Sequence, residues 1–391
     1  MTTEDLPFYN FLGEIEYVPG YPLSFGDWSH STGEAASAEQ ESLLDAIPGI
    51  LGKSPTESHV RACDLNLTLE VGFEDGSSVI ARKILTNNNA DAELGVQKLR
   101  TEARLLHWLA KNTDIPVPRI LPPVEDRSRN FFITDKLPGV MLLNIYGTLD
   151  SMAKERLVES FADIALTMFR LDVPQSIGTF APDISTGSLD VVPRIGVQTF
   201  RARRVFDDIQ QYIDFLLEMK RNSPVIGGDD GGHIEELRGH LDRVLADLFS
   251  KTSDCTSLLR CVLAHGDLNE RNILVDKSGN ITGIVDWEYQ VLHPAVLAAD
   301  YPPWLSYDGC CDPRFADPKQ MLWLDSPDES RRLRDMYLQI VKSRDHEYWT
   351  ALVLGAKLRS CVNWLLNVDS DPGCKRMKKW MDATFVGSCS D

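Results

Sequence analysis

Asp267, Asn272 and Asp286 are the residues best placed to do chemistry, within HGDLNERNILVDKSGNITGIVDWE from His265 to Glu288. Ile273 to Val275 and Ile281 to Val285 are short apolar runs. The polar cluster Asp276 to Asn280 between them contains Gly279, and the whole reads as a hairpin. Folded about Gly279, this hairpin sets Asn272 opposite Asp286 at its open end. Facing residues of an antiparallel pair lie about 4.5–5.5 Å apart. Two side-chain oxygens there could share one small hard cation, since Mg²⁺ takes oxygen ligands at about 2.0–2.1 Å. Asp267, just before Asn272, approaches the same end from the preceding loop. Singly, Asp and Asn beside strands are ordinary turn formers. Together they bring two carboxylates and an amide oxygen to a place where a metal–phosphate complex could dock.

The order HGDLxxxNIL, a hydrophobic run and then IxDWE is matched residue for residue by His265 to Leu274 and Ile284 to Glu288. It resembles the catalytic core of the aminoglycoside phosphotransferase and choline kinase branch of the protein-kinase-like superfamily. The resemblance implies a bilobal α+β kinase-like fold, with a small β-rich N-lobe and a large, mainly helical C-lobe. It implies transfer of the γ-phosphoryl group of ATP, with Mg²⁺, to a hydroxyl of a small molecule. Asp267 would be the base that accepts or orients that hydroxyl, and Asn272 and Asp286 would be the Mg²⁺ ligands beneath the phosphates. His265 would brace the loop. Gly266 stands where regulated protein kinases carry Arg, Asp-Trp-Glu stands where they carry Asp-Phe-Gly, and no Ala-Pro-Glu segment follows. A Ser/Thr protein kinase is disfavoured on those grounds. The rival from another class is a catalytically silent, kinase-shaped binding protein.

That rival draws on the region upstream. Leu65 to Phe73 alternates as a half-buried strand, Glu74-Asp75-Gly76 turns the chain, and Ser78 to Leu85 returns. Before it lies His59 to Asp64, and no glycine falls between Gly52 and Gly72, so the glycine-rich phosphate loop of many kinases is missing. The returning strand offers Arg82 and Lys83. A kinase-like fold needs one fixed cation here for the α- and β-phosphates. Neighbours on a strand point to opposite faces, so only one can serve. Counting from the Asp-Gly turn favours Arg82; matching to Val-Ala-Ile-Lys selects Lys83. Glu102, at the edge of the apolar stripe of a helix over residues 90–111, needs a partner, and one of these two is the natural candidate.

By resemblance, backbone groups around Asp135 to Leu137 would meet the adenine edge, and Pro138-Gly139 would turn the chain into the second lobe. Helical periodicity follows near residues 152–171, 200–221, 234–250, 329–343 and 346–367. The glycine-rich loop Gly227 to Gly232 follows no strand, so it is not read as a phosphate loop. A first helix begins near Ser37, and Pro48 within it argues for a kink or early stop. The expected organisation is an N-terminal extension over 1–55, an N-lobe over 56–137 and a C-lobe over 138–391.

Composition bounds the partners. The 391 residues are 43% hydrophobic and 25% charged, which excludes global disorder. The net charge of −18 argues against a nucleic-acid backbone or an anionic membrane and weakly favours a cationic acceptor. Acidic residues at 308, 312, 317, 325, 328 and 329 lie beyond a Pro-Trp passage at 302–304. They could hold an amine, although a solvated acidic surface is the more ordinary explanation. Eight cysteines form no zinc-ligand spacing, and no apolar run could span a bilayer. A soluble cytoplasmic protein is the expectation.

Overall fold

The computed structural model describes residues 6–9, 15–18, 34–63, 66–85, 89–122, 130–183, 185–194, 202–223, 231–251, 256–316, 323–367 and 371–386. Residues 1–5, 10–14 and 19–33 of the N-terminal extension, Asp64, the loop from Gly227 to Asp230 and Asp317 lie outside these residues. Strands β1 (Leu6–Tyr9) and β2 (Ile15–Val18) pair antiparallel. Helix α1 (Glu34–Leu51) follows, then β3 (Pro55–Cys63), β4 (Asn66–Phe73) and β5 (Ser78–Ile84). After helix α2 (Asn89–Asn112), strand β6 (Phe131–Asp135) completes a four-stranded antiparallel sheet of order β3-β4-β5-β6.

The alternation read in β4 is the burial pattern of the strand. Leu67, Leu69 and Val71 point into a small core that also holds Ala81, Ile133 and, from α1, Leu43 and Ile47. Helix α1 is therefore part of the small lobe's core, whose buried residues begin upstream of residue 56. Pro48 lies inside α1, which runs on to Leu51. It lies one turn from the end, where Gly52 N–H bonds the Pro48 carbonyl and Gly52 takes φ +66°.

The chain leaves β6 and enters β7 (Val140–Met141), which belongs to a second sheet. Helices α3 (Leu142–Ile145) and α4 (Ser151–Arg170), strands β8 (Thr179–Pro182) and β9 (Leu189–Val192), and helices α5 (Ile209–Arg221), α6 (Gly231–Lys251) and α7 (Thr256–Leu259) build the large lobe. Helix α5 starts later than its periodicity suggests because Asp208 caps it, accepting from Gln211 N–H at 2.8 Å. Strand β10 (Cys261–Ala264) pairs with β13 (Val291–Pro294). Between them β11 (Ile273–Val275) and β12 (Ile281–Ile284) make a sheet of order β12-β11-β7, and Ile284 N–H bonds the carbonyl of Pro116 at 2.8 Å.

Helices α8 (Ala295–Ala298), α9 (Pro327–Arg344), α10 (His346–Leu354), α11 (Ala356–Leu366) and α12 (Lys375–Met381) close the described chain. The single helix expected over 346–367 is broken at Gly355. A side chain at 355 would stand 2.2 Å from the Val296 carbonyl oxygen. Arg359 fills the break, bonding the carbonyls of Val296 and Ala351, each at 3.1 Å. One large core unites α2, α4 and the elements after them.

Candidate active site

The loop after β10 is fixed by groups that do no chemistry themselves. His265 donates from Nε2 to the Val285 carbonyl at 2.9 Å and accepts at Nδ1 from Asp267 N–H at 3.4 Å. Its ring lies 4.6 Å from that of Trp287, and burial depresses its pKa to about 4. It is a neutral brace. Gly266 has φ +81°, and a Cβ there would lie 2.0 Å from the Tyr289 carbonyl oxygen, so no side chain fits this backbone. Asp267 follows, its loop held by Asn272 Nδ2 on its backbone carbonyl at 2.8 Å and by Asn269 Nδ2 at 3.1 Å. Burial, then the charge of Asp286, push its carboxyl up to about 6, against the opposing bond from Asn269.

The hairpin forms, with one correction. Ile273 faces Ile284, and Asn272 stands opposite Val285, whose N–H bonds its carbonyl at 3.0 Å. Asn272 does not face Asp286. The turn is centred on Ser278 rather than Gly279, since Val275 faces Ile281 and Asp276 N–H bonds the Asn280 carbonyl at 3.0 Å; the register shift between Leu274 and Val275, which leaves Thr282 as an extra residue on β12, recovers only part of that offset. Asp286 is brought round instead by a left-handed backbone, φ 66° and ψ 55°, an uncommon conformation that Asp tolerates better than most side chains.

That turn delivers Asp286 to Arg82. The Arg82 guanidinium bonds Asp286 Oδ1 at 2.9 Å and Glu102 Oε1 at 3.0 Å, and its other nitrogen lies 3.3 Å from Glu288 Oε2. Glu288 Oε2 also meets Lys98 Nζ at 3.3 Å and Asn66 Nδ2 at 3.2 Å. Glu102 additionally accepts from Trp287 N–H at 3.1 Å. The two lobes thus meet through β4, β5 and α2 on one side and Asp286 to Glu288 on the other. Burial alone would lower the pKa of Arg82, but Glu102, Asp286 and Glu288 outweigh it and keep the guanidinium charged. Glu102 is pushed up, by burial first and then by its carboxylate neighbours, despite Arg82. Lys83 points the other way: its Nζ pairs with Glu39 Oε2 at 2.6 Å and Ser42 Oγ at 3.0 Å on α1. Between the two basic candidates, the geometry brings Arg82 to the seam and leaves Lys83 behind the sheet.

Oxygen and negative charge are in excess here. Glu102, Asp267, Asp286 and Glu288 surround Arg82 and Lys98, and Glu102 Oε2 and Asn66 Oδ1 are buried without a hydrogen-bond partner. With its Nδ2 committed to Asp267, the Asn272 amide can offer only oxygen. Such a donor set suits a hard cation. Among the described residues no three His, Cys, Asp or Glu side chains form a complete metal site. An ion here would need phosphate and water as well, the usual state of protein-bound Mg²⁺.

Asp135 and Leu137 lie where the chain crosses between lobes. Asp135 Oδ1 accepts from Arg119 N–H at 2.7 Å, and Asp135 N–H bonds the Arg119 carbonyl at 3.1 Å. Leu137 packs over Gly283, where an added Cβ would meet its Cδ1 at 2.7 Å. Thr282 Oγ donates to the Pro138 carbonyl at 2.6 Å, and Gly139 turns with φ +105°. The β3–β4 connection, residues 64 and 65, lies outside the described residues.

Behind Asp267 a cavity of about 550 Å³ extends into the large lobe. Phe161, Met168, Phe169, Trp304 and Trp323 contribute aromatic and apolar walls, and Arg194 and His293 line it too. Of these walls, only Trp304 lies in a stretch that the sequence marks, the Pro-Trp passage at 302–304, and neither Glu288 nor Lys98 is among the expected site residues. Glu288 at least stood in the Asp-Trp-Glu signature. The acidic cluster does not stand free. Asp308 pairs with Arg334, Asp312 with Arg314, Asp325 with Lys154, Asp328 with Arg331 and Glu329 with Arg332.

A small antiparallel sheet over a mostly helical lobe, with the catalytic-loop hairpin at their junction, is the protein-kinase-like fold. Solved structures share it at low identity. One is the streptomycin–ATP–APH(2")-IIa ternary complex (11% identity, TM-score 0.50, 90% of this chain and 97% of that one); another is macrolide 2'-phosphotransferase type I (14%, 0.50, 84% and 90%). The model of the phosphotransferase enzyme family matches residues 65–297, and the chain belongs to that family. Clavilactone A biosynthesis cluster protein Y of Ampulloclitocybe clavipes is 42% identical over 388 residues, 96% of this chain and 95% of that protein. No described helix is long and apolar enough to cross a membrane.

Proposed function

We propose that the chain transfers the γ-phosphoryl group of ATP to a hydroxyl of a small molecule held in the cavity behind Asp267. The observation that carries this reading is the position of Asp267, between that cavity and the charged seam of Arg82, Glu102 and Asp286. Asp267 accepts the hydroxyl proton as the acceptor oxygen bonds to the γ-phosphorus. The bond from that phosphorus to the bridging oxygen breaks, and ADP departs with the electron pair. Arg82, held by Glu102, clamps the α- and β-phosphates. Asn272 and Asp286 would hold Mg²⁺, which supplies neutralisation of the phosphate charge. The backbone around Asp135 to Leu137 receives the adenine edge. A carboxyl poised at about 6 is ionised at neutral pH and remains basic enough to take a proton.

The biosynthesis-cluster membership of the 42%-identical relative supports a specialised metabolite as acceptor. A soluble, cytoplasmic enzyme fits these substrates. Calorimetric titration of Mg–ATP into wild type and Asp286→Ala tests the nucleotide half. Metal-dependent binding by wild type, lost in the variant, is expected. No binding by a folded wild type would leave the silent scaffold as the better reading.

A further inference from the structure

We propose that Cys310 and Cys311 form a two-thiol site in the wall of the cavity behind Asp267, which a small disulfide oxidises to a bond between the two sulfurs. That closure reshapes the cavity. The site goes beyond the phosphotransfer reading and stands without it.

The pair differs from the other cysteines in place and in contact. Among the cysteine side chains described, Cys261, Cys361 and Cys374 are buried, whereas Cys310 and Cys311 are both part-exposed. Cys311 lines the cavity together with Tyr301, Ser306 and Trp323, and Cys310 packs against the large core. The two thiols are in hydrogen-bond contact, Cys311 S–H donating to the Cys310 sulfur. That bond first, with the Asn367 side chain and the charge of Arg376, overcomes burial and brings Cys310 down to about 7. The same bond, and then burial, push Cys311 well above the ordinary thiol range. Burial alone pushes Cys261 up to about 11. One sulfur of the pair is thus a nucleophile at neutral pH, and the other is a resolving thiol within reach.

The reaction is thiol–disulfide exchange. The Cys310 thiolate attacks one sulfur of the small disulfide, forming a mixed disulfide and releasing the other half as a thiolate. Cys311 gives its proton to solvent and attacks the Cys310 sulfur, which releases the second half. The two protein thiols lose two electrons, and the small disulfide gains them.

Closure must move backbone. Adjacent Cα atoms stand about 3.8 Å apart, closer than the roughly 4.4–6.8 Å of ordinary disulfides. Such a bond is strained and easily reduced, which suits a reversible switch. The strain falls on the turn Gly309–Cys311, which is fastened on both sides. Gly309 takes φ +60° and approaches α11 so closely that an added Cβ would lie 3.1 Å from Ser360 Cα. Cys311 N–H bonds the Asp308 carbonyl at 3.0 Å, and Asp308 pairs with Arg334 of α9 at 2.6 Å. Helix α11 supplies Val362, Asn363 and Leu366 to the same cavity, so movement of the turn reaches its wall.

The test equilibrates the full chain with graded ratios of oxidised to reduced glutathione, maps disulfides by mass spectrometry and follows backbone hydrogen exchange. A bond between Cys310 and Cys311, reversed by reduced glutathione, is expected. Exchange should change over residues 300–316 and 356–366 and stay the same over 66–84. Alkylation of Cys310 by iodoacetamide at pH 7 should slow about threefold in Cys311→Ala, which removes the donor. Cys311→Ser, whose hydroxyl restores a donor, should stay near wild type. Thiols that remain reduced throughout the series, oxidation that halts at a glutathione adduct or joins a different cysteine, or unchanged exchange at 300–316 overturns the proposal. Equal alkylation in wild type and Cys311→Ala overturns it too. If a variant does not fold, the wild-type disulfide map and exchange decide.

Discussion

The two sides of Asp267 are built from different materials. Toward the small lobe lies a seam of ions: Arg82 between Glu102, Asp286 and Glu288, with Lys98 behind. Toward the large lobe lies a cavity whose walls are largely hydrocarbon, with Arg194, His293 and Arg359 among its polar lining. In the proposed reaction the seam of charges would recognise what every phosphotransfer shares, the nucleotide and its metal. A cavity of packed side chains recognises what is particular to one acceptor. The contrast separates the residues that define the reaction from those that choose its substrate, and substitutions on either side should dissociate.

The largest break is expected at the two carboxylates that divide the seam from the cavity. Asp267→Asn should lower turnover by about 10²–10⁴-fold while Mg–ATP affinity changes less than about threefold. Asp286→Ala should weaken Mg–ATP binding by about 100-fold or more. Calorimetry paired with a transfer assay reads both, and loss of nucleotide affinity in Asp267→Asn would refute the division. The next contrast lies on β5. Arg82→Met should raise the KM for ATP by about 10–100-fold, and Lys83→Met should leave it within about twofold. Lys83→Met should instead cost about 1–2 kcal/mol of stability, because it strips Glu39 of its partner behind the sheet.

Acid should sharpen the comparison. Asp267 must be ionised to accept a proton, so kcat/KM should fall below about pH 6, and Asp267→Asn should lack this limb. The sign for stability is opposite to that for function. Because the folded state raises the Asp267 pKa, its carboxylate disfavours folding above about pH 6 and is neutral in effect below the unfolded value near 4. Asp267→Asn should therefore melt higher than wild type near pH 7.5 and equal to it near pH 4. The smallest effect is expected at Thr282→Val, about 0.5–1 kcal/mol by urea unfolding, for one partly exposed hydrogen bond.

The seam was far more legible in the sequence than the cavity, for a physical reason. His265 to Glu288 must place its groups within one hairpin, so spacing along the chain largely sets spacing in the fold. Even there, Asn272 faces Val285 rather than Asp286, because the turn centres on Ser278 and the extra residue at Thr282 recovers only part of the offset, and neither leaves a mark in the apolar runs. The opposing side of the seam needed one more inference, which of Arg82 and Lys83 faces inward. Strand alternation framed that choice but could not settle it. The cavity's walls come from α4, β10, β13, α8 and α11, and Arg194 from the stretch after β9. Its shape is a property of packing at long sequence separation, and no periodicity records it. The break at Gly355 was hidden similarly: only the approach of Val296 from the distant helix α8 explains it.

The passage between lobes is fastened on both sides of one residue. Lys136 is tied to Glu70 of β4 at 2.6 Å, and Asp135 to Arg119, so both travel with the small lobe. Pro138 is tied to Thr282 of the catalytic hairpin, so it travels with the large lobe. The backbone dihedrals of Leu137 are what remains between these anchors. The crossing is not the only tie: Leu105, Leu106 and Leu109 of α2 lie in the large core, and Ile284 N–H bonds the Pro116 carbonyl at 2.8 Å. Helix α2 therefore works as a dowel driven into both halves: the same helix that presents Glu102 to Arg82 is seated in the large lobe, so the spacing of Arg82 and Asp286 is set by packing and not by the crossing alone.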